Sequence, residues 1–240
     1  MTFAIAHRGL SIEHRENSLG AIAAALEFCG VVEVDVRATS DGVPVCAHDV
    51  SLARTHGIDA RINRMTFAQL RAEAPDVATL AEVLDTIADA DGAAMLDVKV
   101  SRPLVIDAIA TDMAASRVDW HDGRAVRRGE PLPPRTASFQ SKDAQLLQAF
   151  RSRTGAACLE LIHGESSLRS LLLTAPFISA YAHGVTIPDA LANRASLAAL
   201  KGMRLGTYVY TVNDPDRYAK LERIGASGVY TDRIDVMTVS

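Results

Sequence analysis

Two acids separated by one residue, Glu33-Val34-Asp35, carry the first chemistry visible in this chain. On a β-strand such residues share a face. Their Cα atoms stand about 6.6–6.8 Å apart, so both carboxylates reach one cation. Val32, Val34 and Val36 take the opposite face. Two acids on the inner face of an otherwise apolar strand are costly unless something compensates them. Oxygen donors without cysteine suit a hard divalent ion, Mg²⁺ or Ca²⁺. A solvated strand of alternating polarity has the same spacing, but the flanking valines argue for burial.

Only Thr39-Ser40-Asp41-Gly42 separates this strand from a second apolar run, Val43–His48. A parallel crossover needs about a dozen residues, so the pair is an antiparallel hairpin, and Asp41-Gly42 is a strong turn signal. A turn centred on Ser40-Asp41 sets Glu33 opposite His48 and Asp35 opposite Cys46. Directly opposed side chains share a face, which directs His48 toward the acids. Asp49 follows it immediately.

His7-Arg8-Gly9 ends another strand candidate, Phe3–His7. Imidazole exchanges protons near neutral pH, and Arg8 can hold a phosphate or carboxylate in its fork. Gly9 allows a sharp exit from the strand. A structural His beside a surface Arg is the plainer reading of these three residues alone. Asp97-Val98-Lys99 repeats the same-face pattern, with Asp97 as a third oxygen ligand and Lys99 as a charge for an anion; an internal ion pair fits equally. Together these strands offer two His, three acids and two cations. That set suits metal-assisted attack on a phosphodiester, with cations offsetting phosphoryl charge and His7 and His48 as acid and base.

Strands and helices alternate along the chain and must position these residues. Strand candidates are 3–7, 31–37, 43–48, 93–100, 135–139, 156–162, 178–185, 205–212 and 228–231. Between them, 18–29, 79–90, 104–115, 142–152, 166–173, 189–200 and 214–224 carry apolar residues at helical spacing. Ser18 and Asp214 suit N-caps, and Gly30, Gly155 and Gly202 suit left-handed helix ends. With 43–48 assigned to the hairpin, eight strands remain, which predicts an α/β fold, a closed (β/α)8 TIM barrel. Chemistry in such barrels sits at the C-terminal strand ends, where His7 lies. No glycine-rich phosphate loop follows the first strand, which disfavours a dinucleotide-binding sheet. Residues 50–92 form a small helical insert. Ser116–Pro134, with Trp120, several Arg and three Pro, is a long loop read as a lid or a surface loop.

Composition bounds the function. The chain has 240 residues, one domain or at most two, and 48% hydrophobic against 22% charged residues mark a globular protein. Lys plus Arg is 25 and Asp plus Glu is 29, a net charge of −4 that excludes a broad nucleic-acid footprint. Three cysteines without a C-x-x-C pattern exclude a disulfide framework or zinc knuckle and fit a reducing compartment. The first residues do not read as a signal peptide, and no run is long and apolar enough for a membrane span. The expectation is a cytoplasmic protein without stable membrane insertion; oligomeric state is left open.

The chain resembles the glycerophosphodiester phosphodiesterase family, a branch of the phospholipase-C-like phosphodiesterase barrels. The resemblance rests on Ala6-His7-Arg8-Gly9, Glu16-Asn17-Ser18, Glu33-Val34-Asp35, Asp41-Gly42-Val43-Pro44-Val45 and His48-Asp49. It continues through Thr79–Leu84, Leu96–Lys99, Ser138-Phe139, Tyr210–Asn213 and Gly228–Arg233. It implies a distorted barrel that cleaves glycerophosphodiesters, its small-molecule substrates, to glycerol 3-phosphate and an alcohol. It implies Mg²⁺ or Ca²⁺ on Glu33, Asp35 and Asp97, an acid/base pair at His7 and His48, and Arg8 and Lys99 on the phosphate. Glu16 matches a motif acid and takes a supporting place behind the ion's own ligands. Three residues depart from the family pattern: Asp97 stands for a usual Glu, Arg15 for a frequent Pro, and Tyr210 for a usual Trp.

Rival readings are a sphingomyelinase-D-like or lysophospholipase-D-like enzyme forming a cyclic phosphate, and a non-catalytic anion-binding barrel. A zinc amidohydrolase lacks its His-x-His here, and Gly164-Glu165-Ser166-Ser167-Leu168 lacks the second glycine of a nucleophile elbow. His14, His56, His163 and His183 read as loop or strand-end residues, with a place in the pocket as the lesser alternative for His183.

Overall fold

A computed structural model describes residues 2–100, 103–162, 164 and 166–237; His163 and Glu165 lie outside the described residues. Among these, ten strands form: β1 (Phe3–His7), β2 (Val31–Ala38), β3 (Pro44–Cys46), β4 (Ala93–Val98), β5 (Asp119–Trp120), β6 (Thr136–Ser141), β7 (Cys158–Leu161), β8 (Gly184–Pro188), β9 (Gly206–Tyr210) and β10 (Gly228–Thr231). β1 pairs in parallel with both β2 and β10. This closes the ring β1-β2-β4-β6-β7-β8-β9-β10, the expected eight-stranded parallel TIM barrel. β3 is antiparallel on β2, and β5 adds two residues beside the start of β6.

Alternation along the strands separates two cores. Val32, Val34, Val36, Leu96, Val98 and Phe139 point outward and pack with Ile22, Val83, Leu84 and Leu147 of the surrounding helices. Inside the barrel, Ile5, Val31, Met95, Leu159, Tyr208 and Tyr230 form an apolar layer. The acids continue the inward rows of β2 and β4 toward their C-terminal ends, so this layer is their floor.

Helices 19–26 and 215–224 begin at Ser18 and Asp214, as expected, each side chain accepting a backbone N–H of the first turn. Thr79 and Glu82 form a reciprocal capping box for helix 80–89. Of the three predicted glycine ends, only Gly155 is left-handed, at φ 69°.

Three sequence expectations change. The strand predicted over 178–185 is β8 at 184–188, because Ile178 ends a buried stripe with Leu171 and Ala175 that carries helix 168–181 past Pro176. Helix 80–89 buries Leu80, Val83, Leu84 and Ile87 in the outer core and belongs to the barrel. The insert therefore ends near residue 78, with a small core of Val45, Leu52, Ile62, Met65, Leu70 and Val77.

The third concerns Ser116–Pro134, which is not a lid. β5 pairs the first two residues of β6. Val126 lies against Gly184 and Gly206, the first residues of β8 and β9, where an added Cβ would strike it. Val126 and Leu132 are buried in the inner core. The segment plugs the N-terminal mouth of the barrel, opposite the site. His183, by default a structural residue and only secondarily a pocket candidate, lies at this end too, its Nδ1 accepting the Cys158 N–H at 3.2 Å.

Candidate active site

β2 and β4 set the acids by register alone. Asp35 pairs with Asp97 and Glu33 with Met95, so three inward carboxylates converge at the strand ends. An oxygen from each of Glu33, Asp35 and Asp97 lies within 4.8 Å of the others, and all three residues are buried. The shorter reach of Asp97 does not take it out of the cluster. Lys99 Nζ donates to Asp97 Oδ2 at 2.6 Å and stands 2.9 Å from Asp35 Oδ1. Asn17 clamps Asp35, donating from Nδ2 to Oδ2 at 2.9 Å and accepting the Asp35 N–H at 2.9 Å.

Arg8 turns away from β1 with φ 62° and Gly9 with φ 79°. A side chain at Gly9 would strike the backbone of Ala21 at 2.5 Å, so the turn needs glycine there for both space and conformation. The turn points the Arg8 N–H at Glu33 Oε2, 3.1 Å away. The Arg8 side chain reaches Glu16 through Nη1 at 3.2 Å. Its Nε lies 3.1 Å from Asp35 Oδ2, near enough for ion pairing but without hydrogen-bond geometry. Glu16 also accepts two bonds from Arg54. It thus links Arg8 to Arg54.

The hairpin register differs from expectation by one residue. Val36, not Asp35, pairs with Cys46, because Ser40–Gly42 form a three-residue loop closed by the Thr39 N–H on Val43 O. Cys46 therefore packs in the outer core. A straight continuation would turn His48 outward as well. Instead β3 ends at Cys46, and Arg37 Nε and Nη2 hold His48 O at 2.8 and 2.6 Å. The imidazole lines the same pocket as the acids, reached through the strand's end rather than through direct opposition to Glu33.

Each imidazole is held by a carboxylate. His7 Nδ1 lies 2.7 Å from Asp232 Oδ1, and His48 Nδ1 2.8 Å from Asp49 Oδ1. A carboxylate acceptor places the proton on Nδ1 and leaves Nε2 for a substrate. Asp232 is fixed by Asn213, whose Nδ2 donates to Oδ2 at 2.9 Å and whose Oδ1 accepts the Asp232 N–H at 2.8 Å. Sequence reasoning assigned no role to Asp232, Asn213, Asn17 or Arg54. Asp232 meets His7 only because β10 closes the barrel against β1, 225 positions away.

The electrostatics follow from crowding. Burial, with Asp35 and Asp97 beside it, pushes the Glu33 carboxyl well above the usual range. Asp97 is raised by burial and by Asp35, although Lys99 opposes this. Burial also disfavours ionised Asp35, but Lys99, Arg8, Asn17 and His48 outweigh it and hold its carboxyl low. Burial lowers His48 despite the attraction of Asp35. The pocket has a volume of about 210 Å³, with Tyr210 and Thr186 on its far wall. The Tyr210 hydroxyl donates to Ile162 O at 2.6 Å, which fixes the ring standing where tryptophan was expected.

A closed parallel barrel with buried acids and two carboxylate-held imidazoles at its C-terminal mouth defines the class, a (β/α)8 barrel of phosphodiesterase type. Residues 7–236 match the model of the glycerophosphoryl diester phosphodiesterase family, and the chain belongs to that family. It is similar to glycerophosphodiester phosphodiesterase 1 of Rattus norvegicus, 48% identical over 69 residues, 28% of this chain and 21% of that one. The match thus spans about a fifth of that relative's length. A Mycobacterium tuberculosis protein named "Probable glycerophosphodiester phosphodiesterase 2" is 27% identical over 98% of this chain and 88% of its own. The solved structure of a Thermotoga maritima glycerophosphodiester phosphodiesterase superposes with a TM-score of 0.78 at 25% identity, covering 98% of this chain and 96% of that one.

Proposed function

We propose that the chain hydrolyses glycerophosphodiesters to glycerol 3-phosphate and an alcohol, using a divalent cation and the His7–His48 pair. One observation carries the reading: two imidazoles held through Nδ1 line the same pocket as three converging buried carboxylates.

The donor set fits a hard divalent ion. Glu33, Asp35 and Asp97 supply oxygen only, and their mutual repulsion exceeds what Lys99 and Arg8 relieve at Glu33. These three would hold the ion, which when bound offsets phosphoryl charge and polarises the phosphorus–oxygen bonds. Lys99 and Arg8 stand beside the acids as cations for the phosphate. His7, oriented by Asp232, takes the proton of the attacking hydroxyl at Nε2. His48, oriented by Asp49, gives a proton to the departing alkoxide. This division is supported by His48 alone bordering a second, wider cleft beyond the pocket.

The test compares two leaving groups. His48→Ala should lower kcat on glycerophosphocholine by about 10²–10⁴-fold and much less on a p-nitrophenyl diester, whose phenolate departs unaided. His7→Ala should lower both. Near-wild-type kcat for both variants on the alkyl diester would contradict the acid/base reading.

A further inference from the structure

A cleft of about 640 Å³ opens beside the pocket and shares His48, Asp97, Lys99 and Lys142 with it. Its outer wall adds Arg37 and Gln145. We propose that this cleft receives the leaving alcohol and selects for one that carries an anionic group, such as a phosphorylated polyol, over a quaternary ammonium alcohol. The inference rests on the phosphodiesterase reading above, in which His48 protonates the leaving oxygen. That oxygen, and whatever is attached to it, must then lie on the His48 side.

The charges decide what fits. Among the described residues, three cations line the cleft, Arg37, Lys99 and Lys142, against two acids, Asp97 and Asp143. Lys99 is committed to Asp35 and Asp97. Asp143 caps helix 144–154, its carboxylate accepting the N–H groups of Gln145 and Leu146. Among the described residues, neither Arg37 nor Lys142 forms an ion pair with a carboxylate. Arg37 spends Nε and Nη2 on His48 O, so Nη1 is the nitrogen not committed to that carbonyl. Lys142 is exposed and borders both spaces, so it reaches a ligand without leaving its place.

The cleft also lacks what a choline group needs. Quaternary ammonium ions are held by the faces of Trp, Tyr or Phe, and among the described residues no such side chain lines it. The aromatic residues of the site, Tyr210 and Tyr230, line the inner pocket instead. A trimethylammonium group entering the cleft meets the cations Arg37 and Lys142 and, among the described residues, no aromatic wall.

Three diesters test this: glycerophosphocholine, glycerophosphoglycerol, and bis(glycerophospho)glycerol, whose leaving alcohol carries a second phosphate. An exposed cation–anion contact is typically worth about threefold, so two give roughly tenfold. The expected order of kcat/KM is bis(glycerophospho)glycerol above glycerophosphoglycerol above glycerophosphocholine, with about tenfold between first and last. Lys142→Glu should bring the ratio of the first to the last toward one, and Lys142→Arg should keep it. Equal kcat/KM for all three, or a wild-type ratio in Lys142→Glu, overturns the inference while the phosphodiesterase reading stands. A preference for glycerophosphoglycerol over both others assigns the cleft to neutral polyols and overturns the anionic preference. No turnover of any diester overturns the reading of the function and this inference with it.

Discussion

Glu33 sits where stability and function oppose each other. It is buried among two further carboxylates, and its Oε2 accepts the Arg8 N–H. A glutamine keeps that bond and removes one charge from the crowd. Glu33→Gln should therefore melt, without divalent ions, at or above the wild-type temperature, yet lose the upward shift that Mg²⁺ or Ca²⁺ gives the wild type. Its divalent-dependent activity should vanish, as should that of Asp35→Asn. A full ion-induced shift in Glu33→Gln would remove this residue from the ligand set. Asp232 offers the complementary case, since it holds His7, the proposed base, and not a proposed ion ligand. Asp232→Asn leaves the His7 ring in place and takes away the acceptor that fixes its proton on Nδ1. By analogy with catalytic triads, kcat should drop by up to about 10⁴-fold with little change in thermal stability. Wild-type kcat in this variant would show that His7 needs no partner.

The elements show how far the sequence could be read. Period-two alternation in 31–37 and the Asp97-Val98-Lys99 pattern are local, so the inward acids were legible from single strands. The hairpin was legible in kind but not in register, because a three-residue loop and a two-residue loop leave nearly the same trace in sequence. His48 reached the site regardless, through the end of β3 and the grip of Arg37 on its carbonyl. Asp232 and Asn213 were not legible as partners of His7, since only ring closure brings them there. The segment 116–134 misled for a related reason. Its Arg and Pro content reads as an exposed loop, while Val126 and Leu132 alone carry the inward packing. If it is a plug, its loss is structural. Val126→Ala should cost about 2 kcal/mol of stability and leave KM unchanged. A raised KM at unchanged stability would restore the lid.

Across the molecule, the two barrel mouths divide the labour: the C-terminal one holds the acids and imidazoles, and the N-terminal one is sealed. The seal has its own pH signature. Burial, with Arg151 and Arg127 nearby, lowers His183 to about 4. Its Nδ1 already accepts the Cys158 N–H, so the folded protein holds it neutral. Between about pH 6.5 and 4 the unfolded chain binds a proton there that the folded chain refuses. Its stability is undiminished above pH 6.5 and falls as pH drops toward 4, by at most about 3 kcal/mol. Denaturant unfolding of wild type and His183→Gln at pH 8 and pH 4.5 should show the gap between them shifting in favour of the variant at the lower pH. A pH-independent gap would contradict a neutral buried His183. The proposed catalysis at the C-terminal mouth is judged by its product. Exhaustively chelated protein is mixed with glycerophosphoethanolamine and followed by phosphorus NMR before and after Mg²⁺ or Ca²⁺ is restored. No reaction is expected until the ion returns, then glycerol 3-phosphate as the phosphorus product. Undiminished glycerol 3-phosphate from the chelated protein, or a cyclic phosphate as the end product, would contradict the proposed catalysis.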